Sequence, residues 1–362
     1  MPSIFSTLGL STAQDSIGCG ESPSGRELLF LIDGFGADVL STYASAAPHL
    51  SSLVAHGKVQ TSFPSTTATS LATLTTGVMP GAHGMLGYTV QVPRSGGRVL
   101  NTLKWDERVD PVIWQPIPTL FERATEAGIT TTHVAAKRYE NSGFTRAVFR
   151  GAHYKGANVV ADLLSETIEA LKSTPSFVYL YVNDLDSAGH SDGVGSDKWL
   201  AALSGVDQLV GSLVAKVPQG TRIWVTADHG MINVQEKIIL GEENDLLTDI
   251  AVIAGEPRAR HLYLDAKANS AQALDEVVQR WRTTLGEKVI IHTRASAIAS
   301  GLFGGDVSLD AADRAGDVIA IAQNGLVLLD PDRSEKEGLM VGHHGGVTET
   351  ESSVPLLNFV VR

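Results

Sequence analysis

Several short stretches of the chain consist almost entirely of apolar residues, while longer segments repeat apolar residues every three or four positions. The stretches 27–32, 176–182 and 222–226 contain almost no internal polar residue. Such runs are typical of parallel strands that helices cover on both faces of a sheet. The pattern therefore predicts an α/β fold in which a doubly wound, mostly parallel central sheet is flanked by helices.

The remaining segments continue this alternation. Apolar positions three and four residues apart predict helices, and shorter apolar runs predict further strands. The predicted helices lie at 37–56, 119–128, 158–173, 198–217 and 270–285, and the further strands at 58–61, 130–136, 317–322, 325–329 and 354–361. Strand and helix alternate as they do in doubly wound sheets.

One late segment has a β-α-β pattern of its own. It reads HLYLD, then a helical stretch with one apolar face, then KVIIHT. We expect residues 250–301 to form a small inserted α/β lid or subdomain. The core would then comprise residues 1–249 and 302–362.

Residues 63–77, FPSTTATSLATLTTG, change from a hydroxyl-dense turn to a helix of small residues. Pro64 ends the preceding extended segment, and Ser65 or Thr66 can cap the helix. Thr67 then lies in the first turn, where free N–H groups and the helix dipole favour an anion. Taken alone, the stretch also fits an ordinary hydroxyl-rich cap on a core helix. Thr67 is therefore a candidate nucleophile only if other residues of the chain supply a catalytic site around it.

Residues of metal-binding types follow each of the three apolar strands. They are Asp33 after 27–32, Asp186 with His190 after 176–182, and Asp228 with His229 after 222–226, while a late glycine-rich loop adds His343 and His344. The carboxyl ends of parallel strands meet at one edge of a sheet, and a spacing of four places two side chains on one helical face. Such a ligand set suits two dications, whose coordination activates a weak hydroxyl nucleophile. The sequence therefore predicts a two-metal hydrolase.

Composition and charge limit the classes of protein further. The chain has 362 residues, 43% hydrophobic and 19% charged, which is ordinary for a globular protein. A formal net charge of -12 argues against a nucleic-acid polymer as partner, because such binding needs a basic surface. Cys19 is the only cysteine, so intrachain disulfides and thiolate zinc clusters are excluded and any metal must use His, Asp or Glu.

The N-terminal segment and the apolar stretches bear on location. The segment has neither the basic start nor the continuous apolar run of a secretory signal, and no stretch is long enough to span a membrane. We expect a cytoplasmic protein that acts on a small anionic phosphate ester, with no membrane partner. The oligomeric state is open.

The motifs LIDGFG, FPSTTATSLATLTTG, DLDSAGHSDG, TADHGM and GHHGG occur in this order. Together they resemble the alkaline phosphatase superfamily and, within it, the nucleotide pyrophosphatase/phosphodiesterase family, from Leu28 to the C-terminus. The resemblance implies an alkaline phosphatase-like core. It also implies that Thr67 attacks phosphorus and forms a covalent phospho-threonine that water hydrolyses.

The resemblance further implies a site with two Zn²⁺ ions. His344 is preferred to His343, because the family's ligand directly precedes glycine. The implied ligands are Asp33, Asp228, His229 and the Thr67 oxygen for one ion, and Asp186, His190 and His344 for the other.

One residue departs from the family pattern. Ser70 stands three residues after Thr67, where phosphodiesterase relatives usually have an asparagine that contacts a phosphate oxygen, so Ser70 is a candidate phosphate contact with a shorter arm. The implied activity is hydrolysis of phosphodiester or nucleotide pyrophosphate bonds. The alternatives are a phosphonoacetate-type phosphonate hydrolase, a phosphomonoesterase, or a metal-containing binding protein that has lost catalysis.

Charge favours diesters over monoesters. A monoester dianion brings an extra negative charge, which enzymes specialised for it meet with a further cation. No arginine lies in the sequence near Thr67. The preference for diesters therefore holds unless a distant loop, such as Lys137 with Arg138, supplies that cation.

Overall fold

The computed structural model describes residues 1–268 and 270–362. Strands and helices alternate along most of this length. The strands are β1 (Arg26–Ile32), β2 (Val54–Gln60), β3 (Thr89–Gln91), β4 (Val99–Asn101), β5 (Thr130–Ala136), β6 (His153–Ala157), β7 (Ser176–Val182), β8 (Arg222–Thr226), β9 (Ile232–Asn233), β10 (Glu236–Ile239), β11 (Ile250–Glu256), β12 (Ala259–Leu264), β13 (Val289–Thr293), β14 (Val318–Ala322), β15 (Leu326–Leu329), β16 (Gly342–His343) and β17 (Ser353–Val360).

Helices connect these strands. The α-helices are α1 (Pro2–Thr7), α2 (Val39–Tyr43), α3 (Pro48–Ser51), α4 (Thr67–Thr76), α5 (Pro80–His83), α6 (Pro111–Trp114), α7 (Leu120–Glu126), α8 (Gly143–Val148), α9 (Val160–Ala170), α10 (Asp184–Asp192), α11 (Asp197–Lys216), α12 (Ala271–Leu285), α13 (Arg294–Ala299), α14 (Leu309–Arg314), α15 (Ser334–Glu337) and α16 (Glu349–Ser352). Short 3₁₀ turns occupy Ala44–Ala46, Lys137–Tyr139, Ala266–Ala268 and Gly286–Lys288.

The central sheet has seven strands in the order β2-β17-β8-β1-β7-β5-β6. Strands β8, β1, β7, β5 and β6 are parallel to their neighbours, and β17 runs antiparallel between β8 and β2. The mostly parallel sheet predicted from the apolar runs is therefore confirmed. The runs 222–226, 27–32 and 176–182 form the three adjacent central strands β8, β1 and β7.

Strand β1 shows why these runs are apolar throughout. Leu29 and Leu31 pack into the hydrophobic core on one face of the sheet, while Leu28, Phe30 and Ile32 pack into the core on the other face. Because successive side chains of a strand point to opposite faces, a strand covered on both sides is apolar along its centre. The one buried polar residue of β1 is Glu27, near its start, which accepts hydrogen bonds from Arg222. Both cores fix β1, and with it the residue that follows it.

A smaller antiparallel sheet has the order β11-β12-β14-β13. Helix α12 packs on it through Val277, Val278 and Trp281, which belong to a third core. Strands β11, β12 and β13 fall in the predicted insert 250–301, whereas β14 comes after it. The insert boundary and its function as a lid stay predictions.

Two parts of the element prediction were wrong. The helices predicted over 37–56 end at Ser51, and strand β2 already begins at Val54. Helix α8 and strand β6 lie in a segment where no element was predicted. Strands β2 and β6 form the two edges of the central sheet and are largely exposed, so they lack the apolar pattern that reveals a buried strand.

None of the helices in the part of the chain that the structure describes combines the length and the apolar composition needed to cross a bilayer.

Candidate active site

The candidate ligands meet at the carboxyl edge of the central strands. Asp33 directly follows β1, and its backbone N–H donates to the carbonyl of Val182 at the end of β7 (3.0 Å). Asp228 and His229 follow β8, on the other side of β1. Asp33, Asp228 and His229 are at most 2% exposed. The topology therefore brings residues that are almost 200 positions apart in the sequence into one buried group.

His229 is the centre of a first group of ligand atoms. Its Nε2 lies 3.2 Å from Asp33 Oδ1 and 3.6 Å from Asp228 Oδ2. The Thr67 hydroxyl, at the start of α4, lies 3.2 Å from the same Nε2. One ligand atom each from Asp33, Asp228 and His229 lie within 4.8 Å of one another, a spacing at which they can share one ion. The candidate nucleophile therefore adjoins the first group.

A second group forms around Asp186 on α10. Asp186 Oδ1 lies 3.4 Å from His190 Nε2 and 3.7 Å from His344 Nε2. The His344 ring stacks on the His229 ring, with centroids 3.5 Å apart. Ligand atoms of Asp186, His229 and His344 lie within 4.8 Å of one another. The two groups are therefore adjacent, and His229 contacts both.

The two neighbouring histidines of the late glycine-rich loop have different surroundings. His343 lies in β16, and its Nε2 is 3.3 Å from the carbonyl of Glu337. His344 lies one residue beyond that strand and reaches Asp186. The structure therefore brings His344, and not its neighbour, into the group of ligands.

The histidine rings share one orientation. Nδ1 of His229 donates to the carbonyl of Gly230 (2.9 Å), Nδ1 of His190 donates to that of Gly342 (2.8 Å), and Nδ1 of His344 donates to that of Ser65 (3.0 Å). A carbonyl can only accept, so Nδ1 carries a proton in each ring, and Nε2 presents its lone pair to a metal whenever it is not itself protonated. This is the orientation that backbone carbonyls impose on metal-binding histidines.

Three carboxylate oxygens in the site are buried without a hydrogen-bond partner among the residues that the structure describes. They are Asp33 Oδ1, Asp186 Oδ1 and Asp228 Oδ2. A buried carboxylate oxygen without a partner is costly, and buried charges are ordinarily paired or bind metals. Oxygens and imidazole nitrogens are also the donors that zinc takes in a site without cysteine. The donor set therefore fits divalent metal ions.

The titration behaviour of the site reflects the same excess of negative charge. Burial, together with the nearby Asp33, raises the pKa of Asp186 to about 6. Burial also raises the pKa of Asp228 well above its usual range. Burial alone would lower the pKa of His229, but the charges of Asp228 and Asp33 outweigh it and raise this pKa to about 10. The protein alone therefore balances the cluster with protons, a role that bound cations can take over.

The start of α4 differs from the prediction. Thr66 occupies the N-cap position, but its side chain makes no capping hydrogen bond. Ser65 donates instead from its hydroxyl to the carbonyl of Gly346 (2.7 Å), while its own carbonyl accepts from His344. Thr66 is therefore the N-cap residue, as predicted, but without the expected capping hydrogen bond. Ser65 instead ties the Thr67 turn to the loop of His344.

Ser70 lies one turn after Thr67 on α4. It is 3% exposed, and its Oγ has no hydrogen-bond partner within the described ranges. Residues three apart lie on the same face of a helix. Ser70 therefore lies on the Thr67 side of α4, and its buried hydroxyl is not engaged within the described ranges.

A cavity of about 140 Å³ opens beside these residues. Thr67, Asp33 and Asp186 line one part of it. The remaining walls are largely aromatic and include Tyr139, Phe144, Phe149 and Tyr181. The sequence prediction missed this wall, although the aromatic spacing in YENSGFTRAVF was a usable signal for a buried segment.

A buried ion pair behind the site was also missed. Arg258 donates to both carboxylate oxygens of Glu351, at 2.8 Å each. Glu351 Oε1 accepts a hydrogen bond from the backbone N–H of Gly346 (2.9 Å). The backbone carbonyl of Glu351 accepts a hydrogen bond from the backbone N–H of Gly230 (2.8 Å). Glu351 therefore holds the loops that carry His344 and His229, and Arg258 connects them to the turn between β11 and β12.

Glu256, at the end of β11, reaches the same loops. Its Oε2 accepts from the backbone N–H of Tyr88 (2.8 Å), and Gly345 packs against its side chain so closely that a Cβ there would lie 2.5 Å from Glu256 Cγ. Burial raises the pKa of Glu256 to about 8. The small sheet therefore contributes a protonatable carboxyl group directly behind the His344 loop.

Comparison with known proteins gives one family. The model of the type I phosphodiesterase/nucleotide pyrophosphatase family matches residues 28–347. Ectonucleotide pyrophosphatase/phosphodiesterase family member 1 of Mus musculus is 27% identical over 237 residues, 60% of this chain and 26% of that protein. The venom phosphodiesterase of Macrovipera lebetinus is 27% identical over 240 residues, 60% and 27% respectively. The chain spans about a quarter of the length of these relatives.

Solved structures show the same fold. Murine ectonucleotide pyrophosphatase/phosphodiesterase 5 superposes with a TM-score of 0.72 at 18% sequence identity, covering 92% of this chain and 87% of that chain. An inactive variant of the same murine protein in complex with AMP superposes with a TM-score of 0.71, at the same identity and coverage.

Proposed function

The chain belongs to the type I phosphodiesterase/nucleotide pyrophosphatase family of the alkaline phosphatase superfamily, and we propose that it hydrolyses phosphodiester or nucleotide pyrophosphate bonds through a covalent phospho-threonine at a two-zinc site. One observation carries the proposal. The Thr67 hydroxyl lies 3.2 Å from His229 Nε2, in a group where three buried carboxylates each keep one oxygen without a partner.

The residues present fit two divalent ions. When bound, zinc supplies Lewis-acid chemistry, withdrawing electron density from the oxygen atoms around it and compensating the carboxylates. The residues that would hold the ions are Asp33, Asp228, His229 and Thr67 on one side, and Asp186, His190 and His344 on the other.

Thr67 is the nucleophile of the proposal. Its Oγ1 attacks phosphorus, and the bond between phosphorus and the leaving oxygen breaks. The leaving oxygen takes up a proton, and the proton of the threonine hydroxyl is released. Water then attacks the same phosphorus and breaks its bond to Thr67, which restores the hydroxyl.

Charge on the phosphoryl oxygens is met by the start of α4. The N–H groups in the first turn of a helix attract anions, and the Ser70 hydroxyl lies one turn further on without a partner of its own. We assign Ser70 the phosphate contact that an asparagine makes in relatives. Because one hydroxyl replaces an amide, the helix N–H groups carry more of the charge.

The cavity beside Thr67 bears on the substrate. Its aromatic walls, among them Tyr139, Phe144 and Phe149, suit a planar group such as a nucleobase or an aryl ring. A fold relative has been solved with AMP, which supports a nucleotide as the group held here. Diesters and pyrophosphates with a planar substituent are therefore the proposed substrates.

A substrate screen on metal-stripped and zinc-loaded protein tests the proposal. We expect turnover of aryl diesters and nucleotide pyrophosphates only after zinc is added. Mass spectra of the quenched reaction should show a Thr67 peptide that carries the phosphoryl group together with the substituent that stays on phosphorus. Turnover of phosphonoacetate in place of diesters would assign a phosphonate hydrolase. Faster turnover of a monoester than of the matched diester would assign a phosphomonoesterase. Zinc binding without turnover of any ester would assign a binding protein.

A further inference from the structure

A polar rim borders the cavity on the side of α10. It consists of Arg138 and Tyr139, in the 3₁₀ turn after β5, and Asn183, which precedes α10. Arg138 Nη2 donates to Tyr139 Oη (2.9 Å) and to Asn183 Oδ1 (3.3 Å), and Asn183 Nδ2 donates to Tyr139 Oη (3.2 Å). The Arg138 guanidinium also lies over the Tyr139 ring, 4.7 Å from its centroid. These contacts fix the guanidinium in one place.

The rim belongs to the same cavity as the nucleophile. Tyr139 and Asn183 line the cavity together with Thr67 and Asp186. The ring of Tyr139 lies 6.3 Å from that of Tyr181, whose hydroxyl donates to Asp33. Arg138 is exposed and is not part of this lining. It reaches the edge of the cavity through its hydrogen bonds to Tyr139 and Asn183.

The rim has donors left over. Both hydrogen bonds of Arg138 come from Nη2, so Nε and Nη1 donate to nothing within residues 1–268 and 270–362. Its two acceptors are neutral oxygens. Asp184 is near enough for its charge to act on the guanidinium, but it is not one of these acceptors. Tyr139 Oη accepts two hydrogen bonds, which occupy its lone pairs and leave its O–H proton to donate. The guanidinium, and the Tyr139 hydroxyl that lines the cavity, therefore keep donors without an acceptor in the described part of the chain.

Such an arrangement recognises an anion. A guanidinium binds carboxylates and phosphates through paired N–H groups, and a charged acceptor strengthens each hydrogen bond. The single negative charge of a diester is already met by the ions and the helix start in the proposed function. A further cation at the rim therefore suits a second negative charge elsewhere on the substrate.

We propose that Arg138, with the Tyr139 hydroxyl, binds a second anionic group of the substrate, a phosphate or a carboxylate carried by the substituent that enters the cavity. This inference rests on the proposed function and narrows its substrate class. It favours pyrophosphate diesters and esters of charged alcohols over esters whose substituents are all uncharged.

A matched pair of substrates tests the inference. One is an aryl phosphodiester with a carboxylate on the aryl ring, and the other is its methyl ester; a pyrophosphate diester provides a separate phosphate arm. The measured quantity is the ratio of kcat/KM for the charged substrate to that for the uncharged one, on zinc-loaded protein. We expect the wild type to favour the charged substrate, and Arg138→Ala to lower the ratio by roughly tenfold to a hundredfold.

Two further variants separate binding from structure. Arg138→Lys keeps the charge without the planar fork and should restore part of the ratio. Lys137 is the exposed neighbour of Arg138, and Lys137→Ala should give the same kcat/KM ratio as the wild type. A drop for the pyrophosphate arm alone would identify the anion as phosphate, and a drop for the carboxylate arm alone would identify it as carboxylate.

Two outcomes overturn the inference. The first is that the wild type shows no preference for either charged substrate. The second is that Arg138→Ala lowers kcat/KM equally for all substrates, since an equal loss indicates a structural role only. If the wild type turns over none of these diesters, the proposed function itself fails. That result is distinct from an unchanged ratio.

Discussion

The protein buries carboxylates in two different ways. Glu351 and Arg258 are both fully buried, and both oxygens of Glu351 accept hydrogen bonds from the guanidinium. In the second region Asp33, Asp186 and Asp228 converge, and each keeps one buried oxygen without a partner in the described part of the chain. Both regions contact the His344 loop, Glu351 through the backbone N–H of Gly346 and Asp186 through the His344 ring.

The difference between these regions separates structure from chemistry. A paired buried ion holds backbone in place and has nothing left to offer a ligand. Converging carboxylates without partners are unfavourable in the protein alone and become favourable only when a cation is present. The arrangement of the partners, and not burial itself, therefore identifies the candidate site.

Loss of the nucleophile should have the largest effect. Thr67→Ala removes the attacking oxygen and should reduce kcat for an activated diester by about a thousandfold or more, while Thr67→Ser keeps part of the activity. Zinc content should stay close to that of the wild type, because six other ligands remain. Near-normal turnover by the alanine variant would make water the direct nucleophile.

Breaking the paired region should destabilise the whole fold. Glu351→Gln leaves the buried Arg258 without its counter-charge, and we expect a loss of about 3–5 kcal/mol in the free energy of unfolding, measured by urea denaturation. Glu169→Gln is the matched control. It breaks a pair with Lys172 in which both side chains are more than 60% exposed, so its effect should stay within about 0.5 kcal/mol.

The unpaired region should respond in the opposite way. In metal-stripped protein, burial already favours the protonated, uncharged form of Asp228. Asp228→Asn replaces that carboxyl group with a neutral amide of similar size and should leave the free energy of unfolding nearly unchanged. A loss as large as that of Glu351→Gln would show that the two regions are alike, and the comparison would fail.

The adjacent histidines sharpen the boundary between the regions. His344→Ala removes a ring that reaches Asp186, so zinc affinity should fall by roughly a hundredfold or more. His343→Ala removes a ring whose hydrogen bond goes to the carbonyl of Glu337, and zinc content should stay near that of the wild type. Elemental analysis after dialysis distinguishes them, and equal losses would contradict the assignment.

Glu256 should give the smallest effect, visible as a pH dependence. Its pKa is raised from 4.5 to about 8 in the folded protein, so between these values the folded state holds a proton that the unfolded state releases. Stability therefore falls as pH rises through this window. The thermal midpoint should drop by several degrees less between pH 6 and pH 9 in Glu256→Gln than in the wild type. Parallel curves would exclude this contribution.

The sequence was sufficient to predict the strands that are buried on both faces of the sheet. Strands β1, β7 and β8 are covered on both faces, so their composition alone revealed them, and the polar residues at their ends were conspicuous by contrast. Edge strands β2 and β6 face solvent and carry no such signal. The prediction therefore recovered the centre of the sheet and the candidate ligands at its edge.

The rest depends on contacts between distant segments. Arg258 and Glu351 are 93 positions apart, and neither has a neighbour in the sequence that suggests the other. Arg138 reaches Asn183 across 45 positions because the turn after β5 and the start of α10 lie at the same edge of the sheet. Such pairs depend on how distant helices, strands and loops pack against one another. The spacing of residues along the chain does not reveal that packing.

The central claim is that the converging carboxylates and histidines bind two divalent ions. Calorimetric titration of the metal-stripped protein with zinc tests it most directly, because it counts sites without requiring a substrate. We predict two equivalents of zinc per chain in the wild type. Saturation at one equivalent or none would contradict the two-ion site.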